Sequence, residues 1–420
     1  MKSKIKTIFL IVLLNFFHII NYAQARGGGG GSGGGWGGGG GGGFSGGSFS
    51  SGSSGSSVSF SPWMLLFLII PIVAAILVFK NKKRLLELAK MKGDEIIKKN
   101  NLDKGALYKK IEELFKNFQK AWGEFDLKAM ERLVTPEYYK RMVLELTVLQ
   151  NEQRANPMSE VTIDELFIVG EEQPGETTQK LTVEISASAH DVLMDTKNNK
   201  PLFTDDSNFT ECWHLVQTLS NEWVLDFITQ DTENLSLVEN DIVEFAKNNN
   251  FYFDTDFGWL MMPNKGVLFK QTDFGRSDIN NHVIGYFRNK IVEFYTYIPN
   301  TNSKSPNNYI IAQAILPKAY NNILIKKKHW LNFPVWGLKR QMLESVDFNN
   351  KFCLWAEPQD RVNSLELLTP NFMERIYNLP FELNIELVGN VLYFYTKDRG
   401  AANYPQMLEI ISWAFDEMKI

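Results

Sequence analysis

Three hydrophobic patterns follow one another along the chain. The first is continuous: Pro62–Phe79 is apolar for eighteen residues and runs straight into Lys80-Asn81-Lys82-Lys83-Arg84. That length matches a bilayer's hydrocarbon core, and the basic cluster marks the side kept in the cytoplasm. The second pattern has helical spacing. Leu107, Ile111, Leu114, Phe115, Phe118 and Trp122 fall on one face over four turns. A shorter helix after Phe125-Asp126 has Leu127, Met130 and Val134 on its buried side. Thr135-Pro136-Glu137 opens a third, with threonine as cap, proline in the first turn and glutamate at the positive dipole end. The third pattern is alternation. Leu181, Val183, Ile185, Ala187 and Ala189 alternate with polar residues, which predicts a strand with one packed face. Phe209–Thr218 and Glu222–Gln230 read as a hairpin around Ser220-Asn221, anchored by Trp213 and Trp223.

Beyond residue 235 the alternation continues. Leu235–Asn250 predicts a short connecting helix. His282–Tyr286 and Ile291–Tyr297 flank Phe287–Lys290 as a hairpin. Leu383, Ile385 and Leu387, then Leu392 and Phe394, flank Gly389-Asn390, which predicts another. Thr369-Pro370 repeats the helix-opening device of Thr135-Pro136, and a last helix covers Tyr404–Met418. The expected fold is α+β throughout. One transmembrane helix precedes a first lobe of helices under a curved sheet and a second lobe with a mostly antiparallel sheet.

The N-terminus changes the picture by adding an address. Lys2, Lys4 and Lys6, the apolar run Ile8–Ile20 and Ala23-Gln24-Ala25 form the three parts of a secretory signal peptide. An uncut first membrane helix is the competing reading, and it gives the same topology. Arg26–Ser59 holds 19 of the chain's 31 glycines and has too little apolar surface to offset its ordering entropy. The expected division is 1–25 signal peptide, 26–61 Gly/Ser-rich leader, 62–79 membrane helix, 80–102 basic juxtamembrane helix, 103–235 first domain and 236–420 second domain. Lys80, Lys82, Lys83 and Arg84 are the expected contacts with anionic lipid. The basic helix after them either lies on that lipid or is an ordinary solvated helix.

Composition narrows the chemistry. Net charge is −4, which gives no basic footprint for nucleic acid. The two cysteines, Cys212 and Cys353, form no disulfide framework, and their sparseness fits a reducing compartment. Dispersed histidines offer no metal-ligand spacing, and no cofactor motif is present. Arg276-Ser277-Asp278 with His282 is the best candidate for acid–base work, set where a turn enters a strand. His190-Asp191 reads as a surface pair, and His214 as a packed strand residue. Lys326-Lys327-Lys328-His329-Trp330 is a basic cluster with an aromatic neighbour that suits lipid headgroups or nucleic-acid phosphates, and it reads first as a solvated strand end.

Several of these residues together resemble a known family. Phe118-Gln119-x-Ala121-Trp122, Asp126-Leu127, Leu133-Val134-Thr135-Pro136-Glu137-Tyr138-Tyr139, Glu211-x-Trp213 and Trp223-x-Leu225-Asp226-x-Ile228 are similar to the C-terminal domain of subunit 44 of the mitochondrial inner-membrane translocase. The resemblance spans about 103–235 and implies a fold similar to nuclear transport factor 2, with an apolar pocket between sheet and helices. Phe118, Trp122, Trp213 and Trp223 are the candidates to line it. In the mitochondrial relative the domain docks on anionic lipid and tethers partner proteins. No catalytic residue belongs to its motif. Glu344-Ser345-x-x-Phe348-Asn349-x-x-Phe352, Asp360-Arg361 and Leu367-Leu368-Thr369-Pro370-x-Phe372-Met373 resemble a bacterial domain of unknown function over about 255–420.

The expectation is a single-pass inner-membrane protein with its Gly-rich segment outside and its folded domains in the cytoplasm. It would be a non-enzymatic scaffold that binds anionic lipids and an unidentified protein partner. The alternative is a small-molecule site in the pocket of the first domain. A surface or envelope role for the glycine leader is a third.

Overall fold

The computed structural model describes residues 84 and 87–420, apart from 173–178, 231–239, 255–257, 262–264, 270–278, 298–307, 329–336, 358–365 and 398–401. The expected signal peptide, leader, membrane helix, Lys80, Lys82 and Lys83 lie outside the described residues. So do Arg276-Ser277-Asp278, His329-Trp330 and Asp360-Arg361. Among the described residues no helix is long and apolar enough to cross a membrane.

The first lobe opens with helix α1 (87–99), followed by α2 (Lys104–Gly123), α3 (Leu127–Leu133) and α4 (Pro136–Asn151). Asp103, Asp126 and Thr135 each accept a backbone N–H of the first turn they precede, which satisfies a donor the helix itself cannot. The predicted face of α2 is the buried one, from Leu107 to Trp122. Helix α1 packs into this lobe. Ile96 and Ile97 are buried in its core, and Lys90 and Lys99 pair with Glu165 and Glu171 at 3.1 Å. Gly93 permits the approach: a Cβ there would stand 2.5 Å from the carbonyl oxygen of Ile168. Thus two lysines of the basic stretch are held on protein, while Lys92 and Lys98 are exposed.

The sheet of this lobe comprises β1 (Arg154–Ala155), β2 (Met158–Glu172), β3 (Lys180–Asp195), β4 (Lys200–Asp205), β5 (Phe209–Gln217) and β6 (Trp223–Gln230), all antiparallel. β3 is its spine, and its alternation of buried and half-buried residues is the predicted one. The hairpin of β5 and β6 turns at Ser220-Asn221 as expected, with Asn221 at φ 62°. Thr135 fastens helices to sheet: its N–H donates to the Leu225 carbonyl and its hydroxyl to Asp226.

The second lobe contains α5 (Asn240–Asn248), β7 (Tyr252–Asp254), α6 (Gly258–Met261), α7 (Gly266–Phe269), β8 (Ile279–Phe287), β9 (Lys290–Tyr297) and β10 (Tyr309–Lys327). It continues with β11 (Lys339–Gln341), α8 (Val346–Lys351), β12 (Phe352–Ala356), α9 (Pro370–Tyr377), β13 (Asn384–Thr396) and α10 (Tyr404–Met418). The strands order as β11-β12-β10-β9-β8-β7, and β13 pairs with β10. Helices α5, α8, α9 and α10 cover one face over a core rich in phenylalanine. Two expectations are corrected here. α5 is no connector, because Ile242, Phe245 and Ala246 belong to this core. Gly389-Asn390 is no hairpin turn. β13 runs through it as one strand paired with β10 on both sides of the irregularity. Gly389 has φ 59° and Asn390 is not at positive φ, whereas a two-residue I′ turn needs positive φ at both positions. The turn at Arg288-Asn289 meets that condition, with φ 49° and 61°, and there the predicted hairpin forms.

Candidate functional site

Three places could carry function: the interior of the first lobe, the seam between lobes, and a groove on the second. In the interior, Trp213 packs edge-on against Phe118 at 5.3 Å and tilted against Phe115 at 4.9 Å. The Trp122 indole donates to Asn156 at 3.1 Å, and the Trp213 indole to Glu211 at 2.7 Å. Phe118, Trp122, Trp213 and Trp223 are all buried. They meet within one core, where ring–ring and indole contacts occupy Phe118, Trp122 and Trp213. Gln119, beside Phe118 and 1% exposed, has no hydrogen-bond partner for either amide atom among the described residues. Arg84, the described member of the expected lipid contacts, is exposed.

The seam is built where α4 ends. Gln153 takes φ 56°, which turns the chain so that Glu152 and Arg154 both stand at the second lobe. Arg154 is 1% exposed and donates to the Leu260 carbonyl at 2.9 Å. Burial pulls its guanidinium below the ordinary value, and the Glu152 carboxylate opposes that shift. Glu152 pairs with Lys265 at 3.3 Å. Facing them, one row crosses the second sheet from β8 to β10. His282 lies 3.0 Å from Glu293, Gln313 donates to Glu293 at 2.5 Å, and Tyr295 donates to Gln313 at 2.7 Å. Burial drives the hydroxyls of Tyr295 and Tyr393 well above their usual range. Leu260, Met261, Ile284 and Ile291 join the core of the first lobe, so apolar packing surrounds the ions. Tyr252 adds a contact to Glu137 at 3.3 Å. Burial first, and Glu137 second, raise its hydroxyl to about 12.

Sequence reasoning missed Arg154, Glu152, Glu293 and Gln313. A signal was present: Glu293 and Gln313 are single polar residues inside otherwise apolar strand runs, Ile291–Tyr295 and Ile310–Ile315. His282, the acid–base candidate expected at the start of a strand, lies inside β8, buried and bonded to Glu293. His190 is exposed against Asp206, whereas its neighbour Asp191 is buried on Asn156. His214 stacks on Phe227 at 3.9 Å, and burial lowers its pKa. Lys326 is not a solvated strand end either. Burial lowers its pKa beside Glu386, whose own pKa burial raises. Lys327 does reach solvent and pairs with Glu382.

The groove lies between α8 and α9 and encloses about 840 Å³. Phe348, Leu354 and Ala356 lie beneath it, and Met342, Met373 and Tyr377 form its sides. Met342 is 68% exposed, Val346 at its edge 70% and Tyr377 38%. Glu344, Asp347 and Glu374 also line it, without a lysine, arginine or histidine among the lining residues. None of these three acids forms an ion pair among the described residues.

Fold and sites define a two-lobed α+β protein with antiparallel curled sheets, joined through a buried ionic seam. Residues 97–230, within the first lobe, match the family model of the Tim44-like domain. The match takes in the last turn of α1. No curated protein matches the chain. Among solved structures, the mycobacterial trehalose monomycolate transport factor TtfA is similar at TM-score 0.31 and 10% identity, over 43% of this chain and 92% of that one. The intermembrane space region of chloroplast protein ARC6 is similar at 0.24 and 13%, over 31% and 96%. An Ntf2-like protein involved in plasmid conjugation is similar at 0.18 and 9%, over 47% and 87%. At these scores none of the three carries a role over to this chain.

Proposed function

We propose that this chain is a membrane-held, non-enzymatic scaffold whose two lobes bind partner protein beside the inner leaflet. One observation carries the reading. The side chains best suited to acid–base chemistry, His282 and Glu293, are buried and bonded to each other, while the open feature is an apolar groove with solvent-facing side chains. Binding surfaces are apolar patches that a monomer does not cover for itself. The ionic seam supports it further, because lobes fixed to each other present surfaces in constant register. The basic cluster Lys80–Arg84, next to an apolar run of spanning length, supports the location.

The test is photo-crosslinking of the full chain in its own membrane, with the reactive group at Tyr377 and, separately, at Lys92. The expected result is a discrete protein adduct from Tyr377 and lipid adducts from Lys92. Adducts from neither position would sink the scaffold reading. A reporter fused after Ile420 that works only in the exported compartment would overturn the orientation. Gln119 favours a second reading, because its partnerless amide inside the first lobe suits a small polar guest. Native mass spectrometry that finds no bound small molecule in the purified chain would remove it.

A further inference from the structure

We propose that the groove between α8 and α9 is the docking site for a short basic amphipathic helix of a partner protein. The inference rests on the scaffold reading and names the chemistry of the partner. Beneath the groove lies the side-chain face of β12 (Leu354, Ala356) with Phe348, not a free strand edge, so a guest is held by side chains instead of extending the sheet. That is the helix-in-groove mode, in which apolar residues spaced i, i+3, i+4 and i+7 enter a trough. Met342 and Met373 suit such a guest, since an unbranched thioether side chain adapts to irregular apolar shapes. Among the lining residues the charge is one-sided, and Lys351, outside that lining, is held on the ring and carbonyl of Tyr377. Glu344, Asp347 and Glu374 are exposed, without ion-pair partners among the described residues, and set around apolar surface. Lysine and arginine on the guest's polar face would meet all three, which sets its sign and its orientation. Recognition then needs both halves: an apolar stripe for the trough and a cationic flank for the rim.

The probe is a fluorescein-labelled Leu/Lys peptide with leucine at the helical anchor positions. Anisotropy is read on the full chain in nanodiscs of zwitterionic lipid, with empty nanodiscs as the blank. Micromolar binding is expected, with none for the matching Leu/Glu peptide. The double variant Glu344→Lys, Glu374→Lys alters only exposed side chains and should weaken binding about tenfold or more. Glu112→Lys with Glu113→Lys on α2 makes the same charge change elsewhere and should leave affinity within about twofold. Equal losses in both doubles, or no loss at the rim, would overturn the proposal. So would a chain dimer that the rim variant dissociates, since a second copy would then be the occupant. Native-membrane adducts that bypass the groove sink this inference and spare the scaffold. Absence of every adduct sinks the scaffold even if the peptide binds.

Discussion

Replacing Arg154 with methionine tests whether the ionic seam holds the lobes together. The guanidinium is 1% exposed, donates to the Leu260 carbonyl at 2.9 Å and sits near the Glu152 and Glu293 carboxylates. Removing one partner from a buried ionic cluster costs about 3–5 kcal/mol, because the remaining charges stay out of water without compensation. Here the remainder is partly served. Glu152 keeps Lys265 at 3.3 Å, and Glu293 keeps His282 and Gln313. The lost charge-assisted bond alone accounts for about 1.5–3 kcal/mol. The expected cost is therefore near the low end, about 3 kcal/mol, or roughly 6–12 °C in Tm at the slope usual for units of such size. The assay is urea unfolding of the full chain, followed by tryptophan fluorescence, to which three indoles of the first lobe and five beyond residue 240 contribute, and by far-UV circular dichroism, which weights the lobes by their backbone. Wild type should show coincident transitions, and Arg154→Met should separate them as the lobes uncouple. Arg154→Lys keeps the charge but loses the planar fork and should fall between. A cost under about 1 kcal/mol with superimposed transitions would refute the coupling, since a weld cannot be cut without consequence.

Other outcomes follow from single positions. Gly93→Ala should cost about 1–3 kcal/mol and speed trypsin cleavage after Lys90 and Lys92 as α1 loosens, since the new Cβ meets the Ile168 carbonyl at 2.5 Å; unchanged proteolysis would contradict the docking of α1. Glu386→Gln should change the pH dependence of stability. Burial raises the folded pKa of Glu386 above 4.5, so the native state binds the proton more tightly, and its contribution is full below 4.5 and lost as pH rises through the raised value. Wild-type stability relative to the variant should therefore fall as pH rises from 4.5 through the raised value in thermal melts, and a constant difference would refute the burial argument. Gly389→Ala should cost about 1 kcal/mol in a urea melt, because φ 59° is unfavourable for a residue with a Cβ, and a stabilised variant would contradict the kink.

Local structure was legible in the sequence wherever its cause is local. Thr135 and Thr369 cap the helices they open, and β3 buries the face its alternation assigns, because period and capping act over a few residues. The residues that carry the family resemblance are also core and cap residues, so the first lobe could be read from them. Gly389-Asn390 marks the limit. The dipeptide permits a turn or a bend, and β10, nineteen residues long and paired with β13 on either side of Gly389, selects the bend. Arg154 and Glu293 stand 139 positions apart, and the groove joins segments near 342 and 374. Neither site has a pattern along the chain, since each exists only where separate elements meet. Low dielectric turns dispersed charges into a seam, and the convergence of α8, α9 and β12 gathers dispersed methionines and acids around one trough.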